Sequence, residues 1–117
     1  MSGHRIERIN EQIKKELAVL VPQLKDPRIP HFLSVTEVKT SADLKTARVY
    51  VSIMDSNESD VIKGLNSSAG HLRSLLASNL KLRYTPMLDF HVDNSIKYGM
   101  EIDRKLSELR LDKDNEQ

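Results

Sequence analysis

The segment that decides the fold is residues 59–82, which read SDVIKGLNSSAGHLRSLLASNLKL. Its apolar residues recur at three- and four-residue steps, so they fall on one side of a helical projection. Gly64 and Gly70 interrupt this pattern, and each glycine lowers helix stability by about 1 kcal/mol relative to alanine. We therefore predict two helices that meet in a bend at Gly70, with Ser59 or Asp60 as the N-cap of the first.

Strand patterns lie on both sides of this helical segment. Residues 33–39 are rich in β-branched side chains, and apolar and polar residues alternate from Ala47 to Ile53 after a turn cluster at residues 40–45. Residues 88–92 alternate in the same way after a turn at residues 84–86. These patterns predict a β-hairpin before the helix pair and a third strand after it.

The chain begins with a further amphipathic helix. Ile6, Ile9, Ile13, Leu17, Leu20 and Leu24 recur at helical spacing, and we expect this helix to end between Pro22 and Pro27. A crossover from the second strand through the helix pair to the third strand favours a parallel, right-handed connection. The prediction is an α+β domain in the order helix, β-hairpin, helix-kink-helix, strand, with a mixed three-stranded sheet in the order 1-2-3 and its helices on one face.

The domain prediction assigns residues 1–95 to this fold. Residues 96–110 are amphipathic and are expected to form a C-terminal helical extension, whereas residues 111–117 are polar or charged throughout and are expected to be disordered. The longest apolar run, Leu17 to Val21, is far shorter than the roughly 20 residues of a membrane helix. We expect a soluble, cytoplasmic protein.

Composition excludes several classes of function. The 117 residues include no cysteine, so disulfides, cysteine-ligated zinc and thiol nucleophiles are ruled out. With 3 tyrosines and 2 phenylalanines, the chain has few aromatic rings for an RNA-binding platform that stacks bases. Any contact with nucleic acid is therefore expected to go mainly through backbone phosphates.

Positive charge is concentrated in the helical segment although the net charge is only +1. Residues 61–88 contain four basic residues and no carboxylate. On an ideal helical wheel the outward face carries Lys63, Ser67, Gly70, Ser74, Ser78 and Lys81. Lysines among small side chains favour close approach of a phosphate, so this face predicts contact with an RNA backbone. The alternative is a solvated charged face with a bend that serves packing.

No pattern predicts catalysis or metal binding. Asp89, His91 and Asp93 share one strand face, but alternate residues lie roughly 6.5 to 7 Å apart and converge poorly on one ion. Asp26 and Asp43 are interpreted as turn-forming residues that bond nearby backbone. Because nucleotide-binding and hydrolase motifs are absent from the sequence, we expect neither an enzyme nor a bound cofactor.

Several short motifs occur in a specific order. They are Arg5-Ile6 with Ile13 and Glu16-Leu17, Lys25-Asp26-Pro27-Arg28, Ser41-x-Asp43-Leu44-x-x-Ala47-x-Val49-Tyr50-Val51-Ser52, Gly70-x-Leu72-Arg73-x-x-Leu76, Arg83-x-x-Pro86-x-Leu88-x-Phe90 and Asp93-x-Ser95. In this order and spacing the chain resembles the ribosome-binding factor A family from about Arg5 to Ile102. The resemblance implies a type II KH-like fold in which a kink, here Ser68-Ala69-Gly70, replaces the usual KH loop.

The resemblance also implies a function. Members of this family are non-catalytic factors that bind the small ribosomal subunit and its ribosomal RNA during late maturation and are important at low temperature. We expect a monomer, with other assembly factors, including a GTPase, as further partners. The expected RNA-binding residues combine the basic segment with the kink and the first helix: Lys63, Ser68, Ala69, Gly70, His71, Arg73, Lys81, Arg83, Arg5 and Arg8.

A second function class stays open at this point. The amphipathic residues from Ile96 to Leu109 would form a ligand for a groove on another protein if their apolar face is exposed. The chain would then be a protein-interaction module that acts through its C-terminal helix.

Overall fold

The structure, a computed structural model, describes residues 2–30, 32–54 and 56–94. Its elements in chain order are α1 (Ser2–Leu20), a short 3-10 helix (Val21–Gln23), β1 (Ser34–Thr40), β2 (Thr46–Ser52), α2 (Glu58–Ser67), α3 (Ala69–Leu80) and β3 (Met87–Val92). This confirms the predicted order of helix, hairpin, helix pair and strand. The predicted extension at 96–110 and tail at 111–117 lie outside the described residues. Within the described ranges, no helix is both long and apolar enough to span a membrane.

The three strands form one mixed sheet in the order β1-β2-β3. β1 pairs antiparallel with β2, and β2 pairs parallel with β3, which confirms the predicted parallel pairing. Ala47, Val49 and Val51 on β2 are buried and alternate with more exposed neighbours. This alternation places the core on one face of the sheet, where α1 packs on β1 while α2 and α3 pack on β3.

The core joins all three helices to that buried face. α1 contributes Ile13 and Leu17, which have no exposed surface, and α3 contributes Leu72 and Leu76. Phe90 on β3 is the largest side chain among the fully buried ones. No polar or charged residue of the described chain is buried. The interior therefore holds the helices in place by apolar packing, and the charged side chains remain on the surface.

Two details of the helix pair differ from the sequence-based expectation. The N-cap of α2 is Asn57 rather than Ser59 or Asp60, because the Asn57 side-chain oxygen accepts the Asp60 backbone N–H at 3.1 Å. The break between the helices lies at Ser68, within the Ser68-Ala69-Gly70 kink that the resemblance implies, rather than at Gly70, where the helical pattern predicted the bend. Ser68 has φ −92° and ψ −2°, and its N–H is shared between the carbonyls of Gly64 and Leu65, as in a tightened last turn of a helix.

The two glycines of the helix pair have different environments. At Gly64, α2 lies against the connection after the 3-10 helix, and a Cβ there would sit 3.1 Å from Ile29 Cγ1 and 3.3 Å from Arg28 Cβ. At Gly70, a Cβ would meet nothing within 4 Å. A side chain at position 64 would therefore crowd the connection, whereas one at position 70 would meet open space.

The connection against Gly64 is organised by Asp26. Its carboxylate accepts the Arg28 backbone N–H at 2.9 Å and is bridged by two nitrogens of the Arg28 guanidinium, at 3.0 and 2.7 Å. The Arg28 side chain is the main cause that lowers the pKa of Asp26 to about 2, with the backbone N–H second. These bonds confirm the interpretation of Asp26 as a turn-forming residue.

Candidate nucleic-acid interface

Two adjoining grooves meet at one end of the domain. The larger groove, of about 970 Å³, lies between the β1–β2 turn, α3 and the segment that connects α3 to β3. The smaller groove, of about 320 Å³, lies between the first half of α1 and residues 80–84. Both grooves are lined by Leu44, Arg83 and Tyr84. Their basic lining residues, which we call the basic surface, are Arg5, Arg8, Lys45, Arg73, Lys81 and Arg83.

The end of α3 positions two members of the basic surface. Lys81 is the C-cap of α3 and adopts the left-handed conformation, with φ 51° and ψ 40°. This conformation ends the helix and turns the chain toward Arg83. Arg5 and Arg8 approach the same place from α1, where residues three apart lie on one helical face.

Arg73 connects α3 to the segment that follows it. The Arg73 side chain is exposed, and its Nε donates a hydrogen bond to the Thr85 carbonyl at 3.0 Å. This bond fixes the α3–β3 segment against the helix. Because only Nε is used there, the terminal nitrogens of the guanidinium remain available to an anion in the larger groove.

The β1–β2 turn forms the opposite wall of the larger groove. Asp43 accepts the Ser41 hydroxyl at 2.6 Å and the Lys45 backbone N–H at 3.0 Å, and these bonds lower the pKa of its carboxyl. Leu44 completes the turn with φ 63°, and the Lys45 carbonyl accepts the Met87 N–H at 2.9 Å. The turn is thus tied to the start of β3, and the interpretation of Asp43 as a turn-forming residue is confirmed.

The charge of the basic surface is not neutralised within the domain. Across residues 2–30, 32–54 and 56–94, the four salt bridges of the structure involve none of its six side chains. Asp43 is the one carboxylate that lines either groove, and it is already hydrogen-bonded within its own turn. Unpaired cations around a concave surface create a positive potential that attracts polyanions.

The structure separates the kink from the smaller basic groove, although Arg73 of the larger groove lies only two residues after His71 on α3. Ser68 and His71 line a different groove, of about 410 Å³, together with residues of the Gln23–Asp26 segment. The helical rise from Ser68 to Lys81 amounts to about 20 Å. Lys63 is exposed on α2, before the kink, and lines none of these grooves.

The predicted set therefore divides into two groups. Arg5, Arg8, Arg73, Lys81 and Arg83 come together, whereas Lys63 and the kink residues Ser68, Ala69, Gly70 and His71 lie outside both basic grooves. Two further residues that line the larger groove, Lys45 and Tyr84, were not predicted from the sequence. The signal for Lys45 was its position directly after the Asp43 turn, but no local pattern places that turn beside α3.

The polar residues on β3 and directly after it have hydrogen-bonding partners within the domain. Asp89 lies 2.8 Å from His91 Nε2, whereas Asp93 accepts the Thr36 hydroxyl at 2.5 Å across the sheet. Within the described residues, no cluster of three or more potential ligands could hold a metal ion.

Comparison with known proteins identifies the family. The sequence profile described as ribosome-binding factor A matches residues 5–106. The chain belongs to the ribosome-binding factor A family. The ribosome-binding factor A of Acetivibrio thermocellus is 44% identical over 107 residues, which cover 89% of this chain and 87% of that protein. The resemblance drawn from the motifs is thereby confirmed.

Solved structures agree with this membership. The crystal structure of ribosome-binding factor A from Thermus thermophilus matches with a TM-score of 0.68 at 29% identity, covering 74% of this chain and 94% of that one. A homology model of the Thermus thermophilus factor, fitted into a cryo-EM map of its complex with the 30S subunit, matches with a TM-score of 0.61 at 30% identity, covering 73% and 91%. The α+β architecture expected for a ribosome-binding factor A is confirmed.

Proposed function

We propose that this chain is a non-catalytic ribosome assembly factor that binds the small ribosomal subunit and its ribosomal RNA in the cytoplasm. The proposal rests on one observation: the Thermus thermophilus ribosome-binding factor A, to which this chain is similar, has been fitted into a cryo-EM map of its complex with the 30S subunit. The basic surface supports it from the chemistry of this chain, because six cations without a carboxylate partner in the described residues suit a phosphate backbone.

Arg5, Arg8, Lys81 and Arg83 are the proposed phosphate-binding residues of the smaller groove, with Arg73 and Lys45 in the larger one. Lys63 and the segment from Ser68 to His71 form a second proposed contact, whose Ser68 end lies about 20 Å along α3 from Lys81. An RNA backbone extends readily over that distance, so one RNA could contact both places. Residues 1–95 are proposed to be sufficient for this binding.

The proposed mechanism requires no chemical step. A bound protein shifts an RNA folding equilibrium only by the difference between its affinities for the two RNA arrangements. The factor would bind an immature arrangement of the small-subunit RNA more tightly than competing ones, during late maturation. Low temperature slows escape from misfolded RNA, so such a bias is most useful there. The protein would be released from the small subunit when its RNA-binding site there is remodelled, or when another assembly factor, such as a GTPase, displaces it.

Co-sedimentation with isolated ribosomal subunits tests this function. Purified monomeric protein is mixed with small or large subunits over a series of salt concentrations, and the bound fraction is measured. Retention on the small subunit that weakens with salt supports the proposal. Equal retention on both subunits would indicate unspecific attraction to RNA, and absence from both at low salt would refute the proposal. A chain truncated after Ser95 is expected to bind as the full chain does.

A further inference from the structure

The larger groove contains an exposed apolar surface as well as cations. Tyr84 is 62% exposed and Met87 is 61% exposed, so both present large side chains to solvent. Both line the larger groove, together with Leu44 and Ala77. Binding of phosphates alone does not require the exposed Tyr84 ring and Met87 thioether that line this groove.

The geometry around the ring suits a flat, uncharged group next to an anion. The Arg83 guanidinium lies 5.6 Å from the centre of the Tyr84 ring, so a cation covers part of the ring. Arg73 and Lys45 add positive charge on either side of the groove. The α3–β3 segment that carries the ring is held by the Arg73 bond to Thr85. The ring is therefore presented on a fixed segment.

We propose that the larger groove binds an unpaired RNA base, which stacks on Tyr84 and contacts Met87, while Arg73 and Arg83 bind the phosphates beside it. This inference rests on the proposed function and names the RNA feature that the protein would select. Bases inside a duplex are covered on both faces by neighbouring base pairs, so they cannot stack on Tyr84. The groove would therefore favour RNA in which a base is still unpaired.

The charges of the groove argue for a nucleotide as the occupant. Three of its lining residues are cationic, and its single carboxylate, Asp43, is held by Ser41 and Lys45 within the turn. An aromatic ring flanked by arginines is the arrangement on which single-stranded nucleic acids stack. A volume of about 970 Å³ accommodates a nucleotide-sized ligand.

The direct test uses a short single-stranded RNA that contains 2-aminopurine, whose fluorescence is quenched when the base stacks. The full-length protein and its Tyr84→Phe variant are expected to quench the fluorescence, whereas Tyr84→Ala is expected to lose the quenching. Loss of one base stack lowers affinity roughly fivefold or more. Phe32→Ala is the matched control, because Phe32 is 88% exposed and lines neither basic groove.

A second measurement separates base stacking from phosphate binding. For Tyr84→Ala, the affinity for small subunits is expected to fall with no change in its salt dependence, since no phosphate contact is removed. If the wild type binds small subunits and Tyr84→Ala shows the same quenching and the same affinity, the base-binding groove is overturned. The proposed function then remains intact. If the wild type quenches 2-aminopurine but does not bind small subunits, the proposed function fails and the groove remains. A third outcome is that Tyr84→Ala lowers the affinity for small subunits although the wild type does not quench 2-aminopurine. This would indicate that Tyr84 contacts a protein, and it would overturn the inference.

Discussion

The two glycines of the helix pair provide a matched test of the packing. Alanine has a helix propensity about 1 kcal/mol more favourable than that of glycine, and this gain is available at both positions. At Gly70 nothing lies within 4 Å of the new Cβ, so Gly70→Ala is expected to stabilise the protein by up to about 1 kcal/mol. At Gly64 the Cβ would lie 3.1 Å from Ile29 Cγ1, 3.3 Å from Arg28 Cβ and 3.4 Å from Asp26 Oδ2. Overpacking of this kind costs about 1 to 3 kcal/mol.

The expected result is that Gly64→Ala is less stable than Gly70→Ala by about 1 to 3 kcal/mol, because the propensity gain cancels in the comparison. Urea unfolding followed by far-ultraviolet circular dichroism measures this difference. With a denaturant slope of about 1 to 3 kcal/mol per molar, the midpoints should differ by an amount on the order of 1 M. Equal midpoints, or a higher midpoint for Gly64→Ala, would refute the close approach of α2 to the Asp26–Pro30 connection.

Two further predictions concern the end of α3 and the acid dependence of stability. Lys81→Gly is expected to be more stable than Lys81→Ala by about 1 kcal/mol, since glycine adopts the left-handed C-cap conformation without the steric cost of a Cβ. Both variants are expected to bind small subunits equally weakly. Equal unfolding midpoints for the two variants would contradict the left-handed conformation of Lys81. The pKa of Asp26 is lowered to about 2 in the folded protein, so its contribution to stability is fully present above about pH 4 and is lost as the pH falls through about 2. Between pH 4 and pH 2, the free energy of unfolding of Asp26→Asn should therefore fall less than that of the wild type, as measured by urea unfolding at a series of pH values. Equal decreases in the two proteins would refute the role of the Arg28 bonds.

Much of the fold was predictable because its determinants are local. The periodicity of α1 and of the helix pair, and the alternation of β2 and β3, follow from residues near one another in sequence. The parallel pairing of β2 and β3 follows from the helical crossover that connects the two strands. The break at Ser68 was not predictable in this way. Glycine is the usual cause of a bend, but Gly70 has an ordinary helical conformation and the shared N–H bond of Ser68 marks the break.

The candidate site was less predictable because it is assembled from distant segments. An ideal helical wheel assumes one continuous helix, so it grouped Lys63 with Lys81, whereas the structure places the kink and most of α3 between them. The wheel also cannot include the β1–β2 turn, which brings Lys45 to α3, or the exposed ring of Tyr84. The left-handed conformation of Lys81 has no sequence signal, since glycine or asparagine is the usual residue at such a position.

The salt dependence of small-subunit binding tests the central claim, that the basic surface binds RNA phosphates. The Lys81→Ala/Arg83→Ala double variant is compared with Lys39→Ala/Arg48→Ala, which removes two charges from paired positions on β1 and β2 that line neither basic groove. Each phosphate contact contributes about 0.7 to 0.9 to the slope of log affinity against log salt concentration. The first variant should lose about 1.4 to 1.8 from this slope, while the second keeps the wild-type slope. Equal slopes for the two variants would show that the phosphates are bound elsewhere.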